Sequence, residues 1–227
     1  MSEKGRKVLK YNFFKVSREW RSLAEGERRR GAEEFLRAVK GASEGMQLRF
    51  YSLVGIRGDA DFMIWTVSDD MDAVQRLYAA VNSTLLGRYL ETPYAYSAMS
   101  RKSQYLGGHV HAGQEGTPVQ GTARYIFVYP FVKKREWYRL PFKERQRMMA
   151  EHFKIGHGYP SIKINTGYSF GIDDQEFVLA FESDNLSDFV DLVEELRGSD
   201  ASAYTEQDVP SFTCRSVEPE ALLRSLG

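Results

Sequence analysis

Asp61-Phe62-Met63-Ile64-Trp65, preceded by Gly55-Ile56 and followed by Ser68-Asp69-Asp70-Met71, decides the fold, because the chain contains the same phrase a second time. There Gly171-Ile172 precedes Glu176-Phe177-Val178-Leu179-Ala180-Phe181, and Ser183-Asp184-Asn185-Leu186 follows. Repetition of this kind marks a duplicated supersecondary unit and outranks any single-element assignment. In each copy an apolar run of strand length meets an acidic turn. The Ser or Asp of that turn is placed to accept hydrogen bonds from the free N–H groups that open a helix. The helix carries Val74, Leu77 and Val81 in the first copy, and Phe189, Val190, Val193 and Leu196 in the second.

A second helical pattern lies upstream of each phrase. In the first half it runs from about Glu19 to Val39 with Trp20, Leu23, Phe35, Leu36 and Val39 as its apolar positions; in the second it runs from about Pro141 to Ile155. Proline suits a first helical turn, where its missing N–H costs nothing. Strand candidates flank both helices: Val8 to Val16, Leu48 to Ile56 and Tyr94 to Met99, then Arg124 to Phe131, Ile162 to Phe170 and Ser211 to Arg215. The order β-α-β-β-α-β is therefore expected twice, a tandem ferredoxin-like pair of the α+β class. The halves are expected at residues 1–103 and 123–227, joined by a stretch, 104–122, that holds five glycines and no apolar periodicity and reads as a linker or functional loop.

Composition narrows the function classes. With 42% hydrophobic and 27% charged residues the chain has the make-up of a folded globular protein, so disorder is excluded as the default. Lys plus Arg and Asp plus Glu balance at 31 each, which leaves no basic stripe for a phosphate backbone and argues against a nucleic-acid partner. The short run Arg28-Arg29-Arg30 falls within the helical pattern beside Glu33 and Glu34 and reads as a solvated face. Cys214 is the sole cysteine, so neither an internal disulfide nor a cysteine-based zinc set is available; in Phe212-Thr213-Cys214 it reads as a small core residue. No stretch resembles a signal peptide or a membrane span, which makes the cytoplasm the expected location.

The four histidines are the natural candidates for metal binding or proton transfer. His109 and His111 form an H-x-H pair in the Gly-rich stretch, with His157 elsewhere and no third or fourth zinc ligand named by spacing. His152 shares a helix face with Met148, Met149, Ile155 and Gly156. Pattern alone leaves two readings: a satisfied core histidine, or an iron ligand with an apolar wall and a small residue that lets a flat ring approach. Tyr129-Pro130 ends a strand, followed by the cations Lys133, Lys134 and Arg135; a surface turn and a functional phenol are both compatible with that.

Taken together, Tyr125 to Arg135 (YIFVYPFVKKR), Trp137 to Pro141 (WYRLP), Glu144-Arg145, Met148 to Gly156 (MMAEHFKIG) and, in the first half, Asp59 to Trp65 (DADFMIW) resemble the chlorite dismutase-like family, and within it the coproheme decarboxylase branch. The resemblance extends over nearly the whole chain, with YPxxK, WYxLP and HxxxG in the family's order. It implies a dimeric α+β barrel type of fold, a haem or iron-coproporphyrin cofactor, and a homo-oligomer, commonly a pentamer. By position, the proximal iron ligand matches His152, with Met149 and Gly156 lining the porphyrin. The redox-active tyrosine matches Tyr129, the lysine that assists decarboxylation matches Lys133, and the acidic partner of the proximal imidazole falls nearest Asp200. Chlorite dismutation requires a distal arginine, whose place falls at Ile164 or Asn165; neither is basic. One branch of the decarboxylases uses a loop histidine instead, which points to His111, or else His109. The implied activity is peroxide-driven oxidative decarboxylation of iron-coproporphyrin III to protohaem. A haem-binding or peroxidase-like protein without decarboxylase activity, and chlorite dismutation, are the alternatives.

Overall fold

The computed structural model describes residues 5–105 and 120–227. The elements run β1 (Val8–Val16), α1 (Arg18–Ser22), α2 (Glu25–Ala42), β2 (Gln47–Ser52), β3 (Phe62–Ser68), α3 (Met71–Asn82), β4 (Leu90–Ser100), β5 (Tyr125–Lys133), α4 (Arg135–Arg139), α5 (Phe142–His157), β6 (Lys163–Tyr168), β7 (Phe177–Ser183), α6 (Leu186–Arg197), β8 (Thr205–Gln207), β9 (Phe212–Ser216) and α7 (Pro219–Arg224). A 3-10 turn precedes the fourth strand of each half, at Leu86–Tyr89 and Asp200–Tyr204. The α+β class and the twofold β-α-β-β-α-β order are both present.

The chain divides into two compact units, Met1–Met99 with Thr213–Gly227, and Ser100–Phe212. In the first unit β3 lies between β1 and β2, and β4 pairs the other side of β1, all antiparallel. In the second unit β7 lies between β5 and β6, and β8 pairs the other side of β5. The two units share one strand order, which is why one sequence phrase recurs in both. The expectation that the end of the chain completes the second half is corrected. β9 pairs Ser216 and Arg215 with Tyr51 and Ser52 of β2, and Leu222, Leu223 and Leu226 bury into the core of the first unit. The short β8 supplies the second unit's fourth strand instead. The expected linker, 104–122, lies mostly outside the described residues.

Duplication holds bond by bond. Asp61 N–H donates to the Phe14 carbonyl and the Val16 N–H donates to the Asp61 carboxylate; Glu176 N–H donates to the Phe131 carbonyl and the Lys133 N–H to the Glu176 carboxylate. Trp20 leans on Tyr89 with ring centroids 5.8 Å apart, and Trp137 on Tyr204 at 5.5 Å. Gly55 and Gly171 both take positive φ, 76° and 71°, a left-handed turn that favours glycine. Asp70 and Asn185 cap α3 and α6 through their side chains. The single helix expected from Glu19 to Val39 is broken in two at Leu23-Ala24, where the backbone turns extended, whereas the one expected from Pro141 to Ile155 is present as α5, with the short α4 before it and the same extended break at Leu140-Pro141. Cys214 is fully buried, as a core residue should be.

Candidate functional site

Counting from the matched starts of α2 and α5, Phe35 and His152 occupy the same step, as do Val39 and Gly156. In the first unit Phe35 is fully buried and meets Phe62 edge-on, with centroids 6.3 Å apart. Trp20, Phe35, Phe62, Leu77 and Leu86 form one continuous cluster there. In the second unit the corresponding layer is split. Phe127, Ile162, Phe181 and Leu192 gather Tyr129, Ile155 and Ile164 on one side; Trp137, Met148 and Ala201 gather Met149, Tyr105 and Tyr204 on the other. His152 stands on α5 between these groups, with Met148 and Met149 before it along the helix and Ile155 after it.

The imidazole of His152 is buried by the protein around it. Its Nδ1 is sequestered from water and has no hydrogen-bond partner among the described residues. Burial pulls its pKa down to about 4, and the Lys133 ammonium adds to the effect, so the ring is neutral and free to donate a lone pair. One turn on, a Cβ at Gly156 would make one ordinary contact, with Ile164 Cδ1 at 3.8 Å, so nothing crowds the helix at that step. An orphaned neutral nitrogen and an uncrowded glycine one turn on fit an iron macrocycle that His152 would ligate and that Met149 and Gly156 would help to hold.

Two further buried side chains of the unit come from β5. Alternation along the strand puts Tyr129, Phe131 and Lys133 on one side. Tyr129 stacks on Phe181 with centroids 5.7 Å apart, and burial raises its phenol pKa above the ordinary range, with the Asp208 carboxylate adding and the Arg197 guanidinium opposing. The Lys133 ammonium donates to the Ala201 carbonyl at 2.6 Å and lies 4.6 Å from the Trp137 ring centre. Burial lowers its pKa to about 8, with the Glu176 carboxylate acting against that shift. Glu176 also accepts the Tyr138 hydroxyl, and with Arg135, Tyr138, Arg139 and Phe170 it lines a cleft of about 340 Å³.

Tyr129, Lys133, His152, Met149 and Gly156 thus come from one strand and one helix of a single unit. Asp200 does not join them. Its half-exposed carboxylate pairs with Arg147 at 2.9 Å, and it is the backbone of the next residue, Ala201, that enters the site by receiving Lys133. The contact expected between Asp200 and the imidazole is not made. Ile164 and Asn165 are told apart: Ile164 packs with Tyr129 and faces Gly156, while Asn165 is buried in a hydrogen bond to Glu182 at 3.0 Å. His109 and His111 lie outside the described residues. Sequence reading gave no role to Trp137, Glu176 or the Ala201 carbonyl. The signal was available in the repeat, since Arg18-Glu19-Trp20 and Arg135-Glu136-Trp137 are identical.

Solved structures share this architecture. A variant of the chlorite dismutase from Candidatus Nitrospira defluvii superposes with a TM-score of 0.90 at 24% identity, covering 99% of this chain and 96% of that one. A haem-binding protein from Thermus thermophilus gives a TM-score of 0.85 at 24% identity, covering 98% and 95%. The likeness at this identity defines the fold. At the level of sequence, the chlorite dismutase family profile matches residues 26–217, and a coproheme decarboxylase from Mycolicibacterium smegmatis is 38% identical over 177 residues, 78% of this chain and 75% of that protein. The chain belongs to the chlorite dismutase family, a family of haem-dependent oxidoreductases.

Proposed function

We propose that the chain decarboxylates iron-coproporphyrin III oxidatively to protohaem, with hydrogen peroxide as oxidant. The observation that carries this reading is the neutral, partnerless His152 nitrogen on α5, with a buried phenol and a buried ammonium supplied by β5 of the same unit. The bound iron porphyrin supplies the redox chemistry, and the substrate is thus its own cofactor. For each arm, one propionate, one peroxide and one proton give one vinyl group, carbon dioxide and two waters. His152 holds the ring from α5. Tyr129, buried and neutral, gives up its phenolic hydrogen and in turn removes a hydrogen from the propionate β-carbon. Lys133 holds the reacting carboxylate by charge until carbon dioxide leaves. Two arms react in sequence, so the porphyrin turns between them.

The apolar Ile164 on the helix-facing side supports decarboxylation over chlorite dismutation, which by family resemblance calls for arginine near that place. The coproheme decarboxylase relative supports the same choice. His111, or His109, as the distal base, a homo-oligomer such as a pentamer, and a cytoplasmic location complete the proposal. No helix among the described residues is long and apolar enough to cross a membrane. The test is to mix the purified protein with iron-coproporphyrin III and peroxide. Sequential appearance of the three-propionate intermediate and protohaem is expected. Bleaching of a stable ferric spectrum without product leaves the haem-binding alternative, and oxygen release from chlorite restores the dismutase.

A further inference from the structure

We infer that Arg145 is the carboxylate anchor of the porphyrin site, the residue that selects a macrocycle with free propionate arms; this rests on the porphyrin reading above. Arg145 stands two turns before His152 on α5, on the face that also carries Met148 and Met149. Seven residues of helix advance about 10 Å, a span like that from the centre of a porphyrin to the carboxylate of one of its arms. With the iron at His152, an arm directed along the helix ends at this guanidinium.

The matched arginine of the first unit has a structural task that Arg145 does not share. Arg28 holds the same step of α2, and its guanidinium donates to the carbonyls of Leu23 at 2.5 Å and Arg21 at 3.4 Å, bracing the turn before the helix. Arg145 makes neither bond. Its Nη1 donates to the Tyr105 hydroxyl at 3.1 Å, its plane lies 5.7 Å from the Phe142 ring centre, and its Nε is sequestered without a partner. Among the described residues no carboxylate pairs with it. Tyr105 stacks on Phe142 and meets Trp137 edge-on, and Trp137 carries Lys133, so one aromatic row joins both cations. A guanidinium held on an aromatic platform, with a donor unspent, is arranged to take a carboxylate by charge-assisted hydrogen bonds. Lys133 and Arg145 then hold different arms: one placed to react, the other kept fixed.

The experiment titrates iron-coproporphyrin III and its tetramethyl ester, in the same detergent, against wild type, Arg145→Met and Arg145→Lys, following affinity and the ferric absorption spectrum. For Arg145→Met we expect about tenfold weaker binding of the free acid, an unchanged ester affinity, and an unchanged imidazole-ligated spectrum. Arg145→Lys recovers part of the loss. Equal losses for acid and ester indicate a structural role and overturn the inference, as does an unchanged acid affinity. If wild type gives no imidazole-ligated spectrum with either porphyrin, the porphyrin reading itself falls and takes this inference with it.

Discussion

The two units share a strand order, a break before the long helix and matching tryptophan–tyrosine pairs, yet they differ at one step of that helix. In the first, Phe35 is fully buried within one hydrophobic cluster; in the second, His152 holds the same step with a buried Nδ1 that has no partner among the described residues. On the proposed function, the first copy serves as scaffold and the second carries the ligand site. Stability and function sit in different halves. A dense core is worth several kcal/mol of packing, whereas a site must keep an unfilled volume that only its ligand fills.

Exchanging the residues at this step tests the comparison with the largest effects. His152→Phe should weaken iron-porphyrin binding by more than about a hundredfold, roughly 3 kcal/mol, while leaving the unfolding free energy unchanged or higher. The reverse change, Phe35→His, places a polar ring in a fully buried position and should cost about 3 kcal/mol in denaturant unfolding. It should create no second porphyrin site. If His152→Phe keeps the ferric spectrum of wild type, iron is not held there.

Lys133 offers the next largest effect, through pH. Its folded pKa of about 8 lies below the ordinary 10.5, so between those values the unfolded chain binds more protons than the folded one. Stability relative to Lys133→Met should accordingly rise as pH goes from about 8 to 10.5, by up to about 3 kcal/mol. Turnover should behave in the opposite sense: level below pH 8, where the ammonium that holds a carboxylate is intact, and falling above it. A turnover profile that continues to climb past that point would remove Lys133 from the role of cation. Tyr129→Phe should leave porphyrin affinity within twofold of wild type, about 0.4 kcal/mol, and abolish product.

Gly156→Val makes the second unit resemble the first at one further step, since Val39 holds that place in α2. The new Cβ meets Ile164 Cδ1 at 3.8 Å, an ordinary contact, and removing a helical glycine is itself mildly favourable. Unfolding free energy should stay level or rise by a few tenths of a kcal/mol, while the ring loses its approach to the helix and binds about tenfold more weakly. A titration showing undiminished affinity would place the macrocycle elsewhere.

Much of this is legible in the amino-acid sequence itself. The repeated phrase yields the strand order, because alternation and caps are local properties that Asp70 and Asn185 advertise in their own residue types. The roles proposed for Tyr129, Lys133 and His152 come from the family resemblance, since pattern alone leaves a core histidine and a surface turn open. The tail is not legible: Phe212-Thr213-Cys214 has strand character, but which sheet it joins depends on the apolar faces of Leu222 and Leu223 and on long-range pairing with Tyr51. Nor is the choice between Ile164 and Asn165, since a shift of one residue turns a strand side chain to the opposite face. The equivalence of Phe35 and His152 lies in the sequence and needs only the repeat to be carried upstream through Arg-Glu-Trp.

The smallest expected effect concerns Asp200, whose equivalent step in the first unit is Leu85. Its carboxylate is exposed and paired with Arg147, also exposed, and such pairs contribute less than about 1 kcal/mol. Asp200→Ala should change unfolding free energy by no more than about 0.5 kcal/mol and leave both the ferric spectrum and the turnover rate as they are. The backbone of the same turn is another matter, because the Ala201 carbonyl holds the Lys133 ammonium. Ala201→Pro keeps that carbonyl but disturbs the turn that aims it, and turnover should fall while His152 ligation persists. If instead Asp200→Ala alone shifts the ferric spectrum, the carboxylate reaches the imidazole when porphyrin is bound, and the turn moves toward α5 on binding.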